Sequence, residues 1–238
     1  MIFVRPMAFE PPRAGEDRVK SRDGLAVLFD LDGVVLDSIW SIWMATREVL
    51  SQGGVPLGRL PDLQSFLSHF SMPGHYYYRG FGVTTSDEQL DRQFLEALPF
   101  YEAVVESYPE MPETIEKLRA QAGAATAIVS AGSLERVEQK LTKFGLRGLF
   151  DAVYAGAANK TASIKDCCRR FDRAPARTFF VGDIQSDMRD GRAAGIVPIG
   201  FAAGYPFMPA VLVAAGAAAW VHEPEDLLTT IPEVLNES

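Results

Sequence analysis

The sequence has 238 residues, of which 47% are hydrophobic and 23% are charged. A chain of this length and composition can bury a sizeable core, so we do not expect a disordered protein. Its length permits either one large domain or a core with a smaller insertion. The formal net charge is −8, and no run of Lys and Arg resembles the basic surfaces that bind nucleic acid or anionic membranes. We therefore expect a small-molecule partner, with no nucleic acid and no membrane.

The first residues, 1–23, are interpreted as a loose N-terminal tail, because their short apolar patch lacks the length and cleavage site of a signal peptide. No stretch of the chain approaches the roughly 20 uninterrupted apolar residues of a membrane span. The two cysteines, Cys167 and Cys168, are adjacent and predict no disulfide framework. A cytoplasmic protein, monomeric or homodimeric, fits these features.

Short apolar runs that alternate with helical patterns dominate the chain after the tail. The first run, Leu25–Phe29, is continuously apolar, as in a strand that is buried on both faces of a parallel sheet. Similar runs, the last of them the shortest, occur at 125–129, 151–154, 178–181, 197–201 and 219–221. This alternation predicts an α/β fold with right-handed crossovers and an open, doubly wound, Rossmann-like parallel sheet. Ligands of such sheets bind at the carboxyl ends of the strands.

Helices are predicted between these strands by apolar residues at helical spacing. The clearest stripe consists of Leu134, Val137, Leu141 and Phe144, which follows a possible N-cap at Ser133 and stops at Gly145. Further helices are predicted at 113–121, 164–171, 187–195 and 225–231.

The alternation stops between residues 38 and 108, where the apolar residues follow helical spacing throughout. The helical stripes lie within 40–50, 60–70 and 90–98. The segment leaves the core just after the first strand and returns before the next predicted helix. We therefore expect an inserted helical cap over 38–108, and a catalytic core formed by 24–37 and 109–238.

The densest chemical signal follows the first strand, where Asp30, Asp32 and Gly33 are found. Two carboxylates at the end of a buried strand are costly unless they are ionised and paired or coordinate a cation. A divalent cation would remove that cost. Gly33 permits the tight turn by which the chain leaves the sheet.

The segment Asp30–Ser38 resembles the first motif of the haloacid dehalogenase superfamily, DxDG(T/V)xxDS after a hydrophobic strand. Ser130 matches the second motif, a Ser or Thr that ends the next core strand. Lys160 matches the third, and Asp183 with Asp187 matches the GDxxxD form of the fourth. The resemblance extends over nearly the whole chain beyond the tail, and it implies a phosphatase of the branch with a helical cap, similar to phosphoglycolate phosphatases and β-phosphoglucomutases.

The resemblance also implies a role for each matched residue. Asp30 would be the nucleophile that takes the phosphoryl group, and Asp32 the general acid and base. Ser130 and Lys160 would hold the phosphate oxygens, together with the backbone N–H groups of neighbouring residues. The metal would be Mg²⁺, because hard oxygen ligands suit it. The implied metal ligands are Asp30, the carbonyl of Asp32 and Asp183, while Asp187 would either reach the metal through water or brace Lys160. The backbone groups for the phosphate are those of Gly33, Ala131 and Gly132.

Lys160 competes with Lys165 for the third motif, and we favour Lys160 because Lys165 falls within the following helix. The Pro residue that usually follows this lysine in the family is replaced by Thr161.

Asp32 argues against cleavage of carbon–halogen or phosphonate bonds, since family members with those activities lack an acid at this position. Hydrolysis of a phosphate ester remains the main interpretation, with a sugar phosphomutase as the first alternative. A non-catalytic binding protein on the same fold is the second alternative.

The segment 72–82 of the insertion, interpreted as a loop, contains a histidine, three tyrosines and an arginine. His75 and Arg79 could read a sugar or a carboxylate by stacking and charge-assisted hydrogen bonds. An equally good interpretation is that this loop packs the cap helices together.

Overall fold

The computed structural model describes residues 24–237, so the predicted loose tail at 1–23 lies outside the described residues. The chain folds into two compact units. One unit contains Leu36–Glu106, and the other combines residues 24–35 with residues 107–237. That residues 38–108 act as a cap stays a prediction.

The larger unit is built on one sheet, which comprises six parallel strands within the described residues. The strands are β1 (Ala26–Phe29), β2 (Ala125–Val129), β3 (Ala152–Tyr154), β4 (Thr178–Gly182), β5 (Val197–Phe201) and β6 (Ala219–Val221). Their spatial order is β3-β2-β1-β4-β5-β6. The predicted doubly wound α/β fold is therefore confirmed, including its short last strand.

Strand β1 lies at the centre of the sheet, between β2 and β4. Its four residues have no exposed surface, which explains their uninterrupted apolar character. From β1 the strand order runs to β2 and β3 on one side and to β4, β5 and β6 on the other, so the winding reverses between β1 and β4. The carboxyl ends of β1 and β4 therefore form the crevice where ligands of such sheets bind.

The smaller unit is the helical insertion. Its helices are α1 (Ile39–Gln52), α2 (Leu63–His69), α3 (His75–Gly80) and α4 (Asp87–Tyr101). Helices α1 and α4 pack through buried Ala45, Ala97 and Leu98, and the Ser41 hydroxyl donates to the Tyr101 carbonyl oxygen at 2.8 Å. The interpretation of segment 72–82 as a loop is wrong, because it contains the short helix α3.

Packing among aromatic side chains of the insertion explains why helix α3 forms. Tyr77 is buried, and its ring lies 5.7 Å from Phe66, 5.5 Å from Phe70 and 5.3 Å from Phe81, measured between ring centroids. Tyr78 is buried as well, so two of the three tyrosines of the aromatic segment belong to the core of the insertion.

Within the part of the chain that the structure describes, six α-helices complete the larger unit: α5 (Met111–Gln121), α6 (Leu134–Lys143), α7 (Thr161–Phe171), α8 (Gln185–Ala194), α9 (Met208–Ala215) and α10 (Leu227–Glu237). The predicted N-cap of α6 is confirmed, since the Ser133 hydroxyl accepts a hydrogen bond from the Arg136 N–H at 3.4 Å. Helix α9 escaped prediction because its short, almost entirely apolar sequence shows no helical stripe. Across residues 24–237, no helix combines the length and apolar character that crossing a membrane requires.

Candidate active site

Two aspartates meet where β1 and β4 end. Asp30 directly follows β1 and Asp183 directly follows β4, and the Asp30 N–H donates to the Val181 carbonyl oxygen at 2.9 Å. Asp187 lies in the first turn of α8, the helix that follows β4. All three are buried, and one carboxylate oxygen from each lies within 4.8 Å of the others. The sequence suggested four metal ligands: the side chains of Asp30, Asp183 and Asp187, and the backbone carbonyl of Asp32. The structure brings the three side chains together.

Lys160 is the counter-charge of this cluster. It precedes α7, and only 2% of its side chain is exposed. Its Nζ atom lies 2.6 Å from Asp30 Oδ2 and 2.8 Å from Asp187 Oδ1. Lys165, the competing lysine, lies exposed on α7. The choice of Lys160 over Lys165 therefore agrees with the geometry, and its role toward a phosphate stays a prediction.

Asp190 holds the backbone around Lys160, and the sequence analysis missed it. Asp190 is buried on α8 and accepts hydrogen bonds from the Lys160 N–H at 2.8 Å and from the Thr161 hydroxyl at 2.9 Å. It thereby ties the start of α7 to α8. The signal available in the sequence was its spacing, because Asp190 follows Asp187 by three residues and so shares a helix face with it. The Thr161 that replaces the family's usual Pro supplies one of these two bonds.

The cluster carries an excess of negative charge. Three buried carboxylates face the single ammonium of Lys160, and burying an unpaired charge is costly. A divalent cation would balance the excess, and carboxylate oxygens are the ligands that Mg²⁺ prefers. The residues present therefore fit a divalent cation held by Asp30, Asp183 and Asp187.

Burial changes the proton affinities of the cluster. Burial raises the pKa of Asp30 to about 7, although the Lys160 ammonium acts in the opposite direction. Burial, followed by the nearby Asp187 and Asp30 carboxylates, raises the pKa of Asp183 well above its usual value. Burial alone would lower the pKa of Lys160, but Asp187 and Asp30 outweigh it and raise that pKa. Lys160 is thus held in its charged form, while Asp30 and Asp183 bind protons more readily than ordinary aspartates.

Gly33 makes the close approach of the loop after β1 to β4 possible. Its φ angle is +84°, and a Cβ atom at this position would overlap the Asp183 carboxylate. Any side chain at position 33 would therefore strain the backbone and displace a candidate metal ligand.

Asp32 lies in the same loop but outside the buried cluster. Its side chain is 25% exposed, and Lys140 Nζ lies 2.7 Å from its Oδ1 atom. Lys140 lies on α6, and no sequence motif pointed to it, because 108 residues separate it from Asp32.

Ser130, Ala131 and Gly132 follow the end of β2, the other neighbour of β1. Ser130 is buried, and its N–H donates to the Tyr154 carbonyl oxygen at 2.9 Å. The Gly132 N–H donates to the Ser130 hydroxyl oxygen at 3.1 Å. Ala131 and Gly132 are partly exposed. This segment therefore lies at the same edge of the sheet as Asp30, and its binding of phosphate stays a prediction.

His75 and Arg79 belong to α3 of the insertion. Arg79 donates to the Val83 carbonyl oxygen at 2.8 Å and to Asp87 Oδ1 at 2.6 Å. His75 Nδ1 lies 3.7 Å from Asp87 Oδ2. These contacts join α3 to the start of α4 within the insertion. That either residue reads a substrate stays a prediction.

Comparisons with known proteins agree with this geometry. The family model of haloacid dehalogenase-like hydrolases matches residues 27–201. A phosphoglycolate phosphatase of Synechococcus elongatus is 24% identical over 221 residues, covering 89% of this chain and 99% of that protein. A haloacid dehalogenase-like protein of Agrobacterium tumefaciens, solved as a crystal structure, has a TM-score of 0.72 and 22% identity, covering 88% of this chain and 98% of that one.

A third relative is a haloacid dehalogenase family hydrolase of Deinococcus radiodurans, solved with bound phosphate and sodium. It has a TM-score of 0.64 and 23% identity, covering 90% of this chain and 97% of that one. At these identities the solved structures establish the fold.

Binding of Mg²⁺ should depend on pH through Asp30 and Asp183. Because their pKa values are raised in the folded state, the metal-free protein gains stability from protonating them and loses that stability as pH rises from about 4 through about 7. A cation replaces those protons, so Mg²⁺ should raise the melting temperature more at pH 8 than at pH 5.5. Thermal unfolding with and without Mg²⁺ measures this. An equal shift at both pH values would contradict it, and the variant Asp183→Asn should lose most of the Mg²⁺ effect.

The variant Gly33→Ala should lose the metal response as well as some stability. Its backbone strain should cost about 1–2 kcal/mol, and its Cβ atom should displace the Asp183 carboxylate. Gly195→Ala is the matched control, because Gly195 has a φ angle of +82° and nothing lies within 4 Å of a Cβ placed there. Both variants should melt earlier, but only Gly33→Ala should lose its stabilisation by Mg²⁺. A Gly33→Ala protein with the full Mg²⁺ response would refute the close approach.

Proposed function

We propose, from the premise that this chain belongs to the haloacid dehalogenase-like hydrolase family, that it is a Mg²⁺-dependent phosphatase that hydrolyses a small phosphorylated metabolite. The observation that carries the proposal is the buried cluster at the ends of β1 and β4, in which Asp30 is paired with Lys160 beside Asp183 and Asp187. A carboxylate needs such positive charge around it before it can approach a phosphate, which is itself an anion.

In this mechanism Asp30 is the phosphoryl acceptor. One of its carboxylate oxygens attacks phosphorus, the bond from phosphorus to the leaving oxygen breaks, and an aspartyl phosphate forms with release of an alcohol. Water then attacks the phosphorus of this intermediate, which releases inorganic phosphate and restores the Asp30 carboxylate. A bound Mg²⁺, held by Asp30, Asp183, Asp187 and the Asp32 carbonyl, would neutralise negative charge on the phosphoryl group.

Asp32 moves the protons. It donates one to the leaving oxygen in the first step and takes one from the attacking water in the second. Its position two residues after Asp30 supports a role at the same reacting group, and its partial exposure allows it to meet water. Asp30, by contrast, is buried, as suits a group that attacks phosphorus and must not be hydrated.

Lys160 and Ser130 position the phosphoryl group. Lys160 lies on the Asp30 carboxylate and Ser130 lies at the end of β2, so a phosphate bound at Asp30 meets an ammonium from one side and a hydroxyl from the neighbouring strand end. The backbone N–H groups of Gly33, Ala131 and Gly132 complete the contacts with its oxygens. Such preorganised donors stabilise the charge that develops during phosphoryl transfer.

The substrate class follows from the relatives and from the insertion. A curated relative that covers nearly the same length is a phosphoglycolate phosphatase, and a related hydrolase has been solved with bound phosphate. We infer a phosphorylated organic acid or sugar, selected by the helical insertion acting as a cap that closes during turnover. His75 and Arg79 remain the proposed substrate contacts of that cap.

Phosphate release should identify the reaction. The unaltered protein should release phosphate from one member of a panel of phosphorylated organic acids, sugars and nucleotides with Mg²⁺, and not with a chelator. Asp30→Asn should lower that rate by more than about 10³-fold, as expected when a covalent nucleophile is removed, with an unchanged far-UV spectrum. Full activity of Asp30→Asn would remove Asp30 from the role of nucleophile. Fast isomerisation of a hexose phosphate with slow hydrolysis would select a phosphomutase instead.

The variant Asp32→Asn should slow both chemical steps. Loss of a general acid and base typically costs about 10²–10⁴-fold. With p-nitrophenyl phosphate, whose leaving group needs little protonation, the second step should suffer most, and the phosphorylated protein should accumulate and be visible by intact mass after an acid quench. Normal turnover by Asp32→Asn would show that another group moves the protons.

A further inference from the structure

The ion pair between Asp32 and Lys140 lies outside the buried cluster, and no family motif includes Lys140. The two side chains are 25% and 14% exposed, and the Lys140 Nζ atom lies 2.7 Å from Asp32 Oδ1. We propose that Lys140 is a positioning residue that orients the Asp32 carboxylate for proton transfer to the leaving group. This inference rests on the proposed function and adds a specific residue to it.

Helix α6 places Lys140 at this position. The core-facing side of α6 carries the buried residues Val137 and Leu141. Lys140 follows Val137 by three residues and directly precedes Leu141, so its stem starts beside that apolar face. The helix begins after Ser133, only a few residues beyond Ser130 at the end of β2. One segment of chain therefore supplies both the hydroxyl proposed for the phosphate and the ammonium that contacts Asp32.

The Asp32 carboxylate depends on a positioning partner more than the Asp30 carboxylate does. The Asp30 side chain is 9% exposed and is held by Lys160, whereas the Asp32 side chain is 25% exposed and extends from the loop after β1. A partly exposed carboxylate gains freedom to change rotamer, and that freedom must be lost each time it aligns with a substrate oxygen. An ammonium that holds one carboxylate oxygen at 2.7 Å limits these orientations before the substrate arrives.

Lys143 offers a matched control on the same helix. It also lies in the last turn of α6, so both lysines interact favourably with the negative end of the helix dipole. Lys143 is exposed, however, and its ammonium lies 4.8 Å from the centroid of the Phe144 ring. Replacing Lys143 therefore tests the general effect of losing one positive charge from α6, without touching the contact with Asp32.

The test compares two leaving groups. The first probe is p-nitrophenyl phosphate, whose leaving group departs with little protonation. The second is 2-phosphoglycolate, whose alkoxide leaving group must be protonated. Glucose 6-phosphate replaces 2-phosphoglycolate if the unaltered protein prefers it. The value of kcat/KM reports on the first chemical step. Lys140→Met should lower kcat/KM for the alkyl phosphate about 10- to 100-fold and lower it distinctly less for p-nitrophenyl phosphate. Lys143→Met should change both values by the same small factor.

Two further variants separate positioning from folding. Lys140→Arg can still contact the carboxylate, so it should recover much of the activity that Lys140→Met loses, at an unchanged melting temperature. In single-turnover phosphorylation by the alkyl phosphate, Lys140→Met should cause little further loss when Asp32 is already replaced by Asn, because the lysine acts through that carboxylate.

Three results would overturn the inference: equal losses with both leaving groups, equal losses in Lys140→Met and Lys143→Met, or full additivity with Asp32→Asn. Each would leave the proposed phosphatase function intact, because the unaltered protein would still turn over its substrate. If the unaltered protein released phosphate from neither probe nor from the panel, the proposed function would fail and this inference would fail with it.

Discussion

The contact of Lys160 with Asp30 and Asp187 is the interaction on which the rest of the site depends. It places one buried ammonium among three buried carboxylates, so the cluster is only partly neutralised. Removing the lysine would leave several buried negative charges uncompensated, which is among the most costly changes a protein interior can undergo. Burial raises the pKa values of Asp30 and Asp183, and the neighbouring carboxylates of the cluster add to that effect. The excess of negative charge that remains fits a divalent cation at this site.

The sheet creates this arrangement through its topology. Asp30 and Asp183 are far apart in sequence, but β1 and β4 are neighbours, and Phe29 pairs in register with Val181. Residues that follow the two strands must therefore lie side by side. Helix α8 then returns Asp187 to the same place in its first turn, and Asp190 on that helix holds the backbone at Lys160. The pairing of β1 with β4 and the contacts made by α8 therefore bring these residues to the same site.

Most of the core fold could be predicted from sequence, because the pattern and the physics agree there. Short apolar runs such as 125–129 are typical of strands covered on both faces, and the structure places a buried strand at those residues. The amphipathic stripe of α6 and its Ser133 cap likewise determine a helix on local grounds. Helix α9 gave no such signal, because a short apolar run has no period that distinguishes helix from strand. Helix α3 was missed because the packing of Tyr77 against three aromatic rings is a tertiary effect.

The candidate site also contains residues that could be predicted from sequence and residues that could not. Sequence patterns reveal the strand ends and helix starts, so the approximate placement of the residues located there could be anticipated. These residues are Asp30, Ser130, Lys160, Asp183 and Asp187. Asp190 offered only its spacing from Asp187, and its contact at 2.8 Å with the Lys160 N–H is visible only in the structure. Lys140 could not be anticipated, because its importance comes from a contact at 2.7 Å with the distant Asp32. A lysine within a helix is usually a solvated charge, and only the tertiary structure shows that this one contacts the proposed acid and base.

The central claim is that Asp30 itself carries the phosphoryl group during turnover. Its most direct test is to quench the protein in acid during turnover of its substrate, reduce it with borohydride, and analyse its peptides by mass spectrometry. An aspartyl phosphate is reduced to homoserine, whereas an ordinary aspartate is not. The account predicts homoserine at position 30 only when both substrate and Mg²⁺ are present. Phosphate release with no modification at Asp30 under any quench time, or modification at another carboxylate, would contradict it.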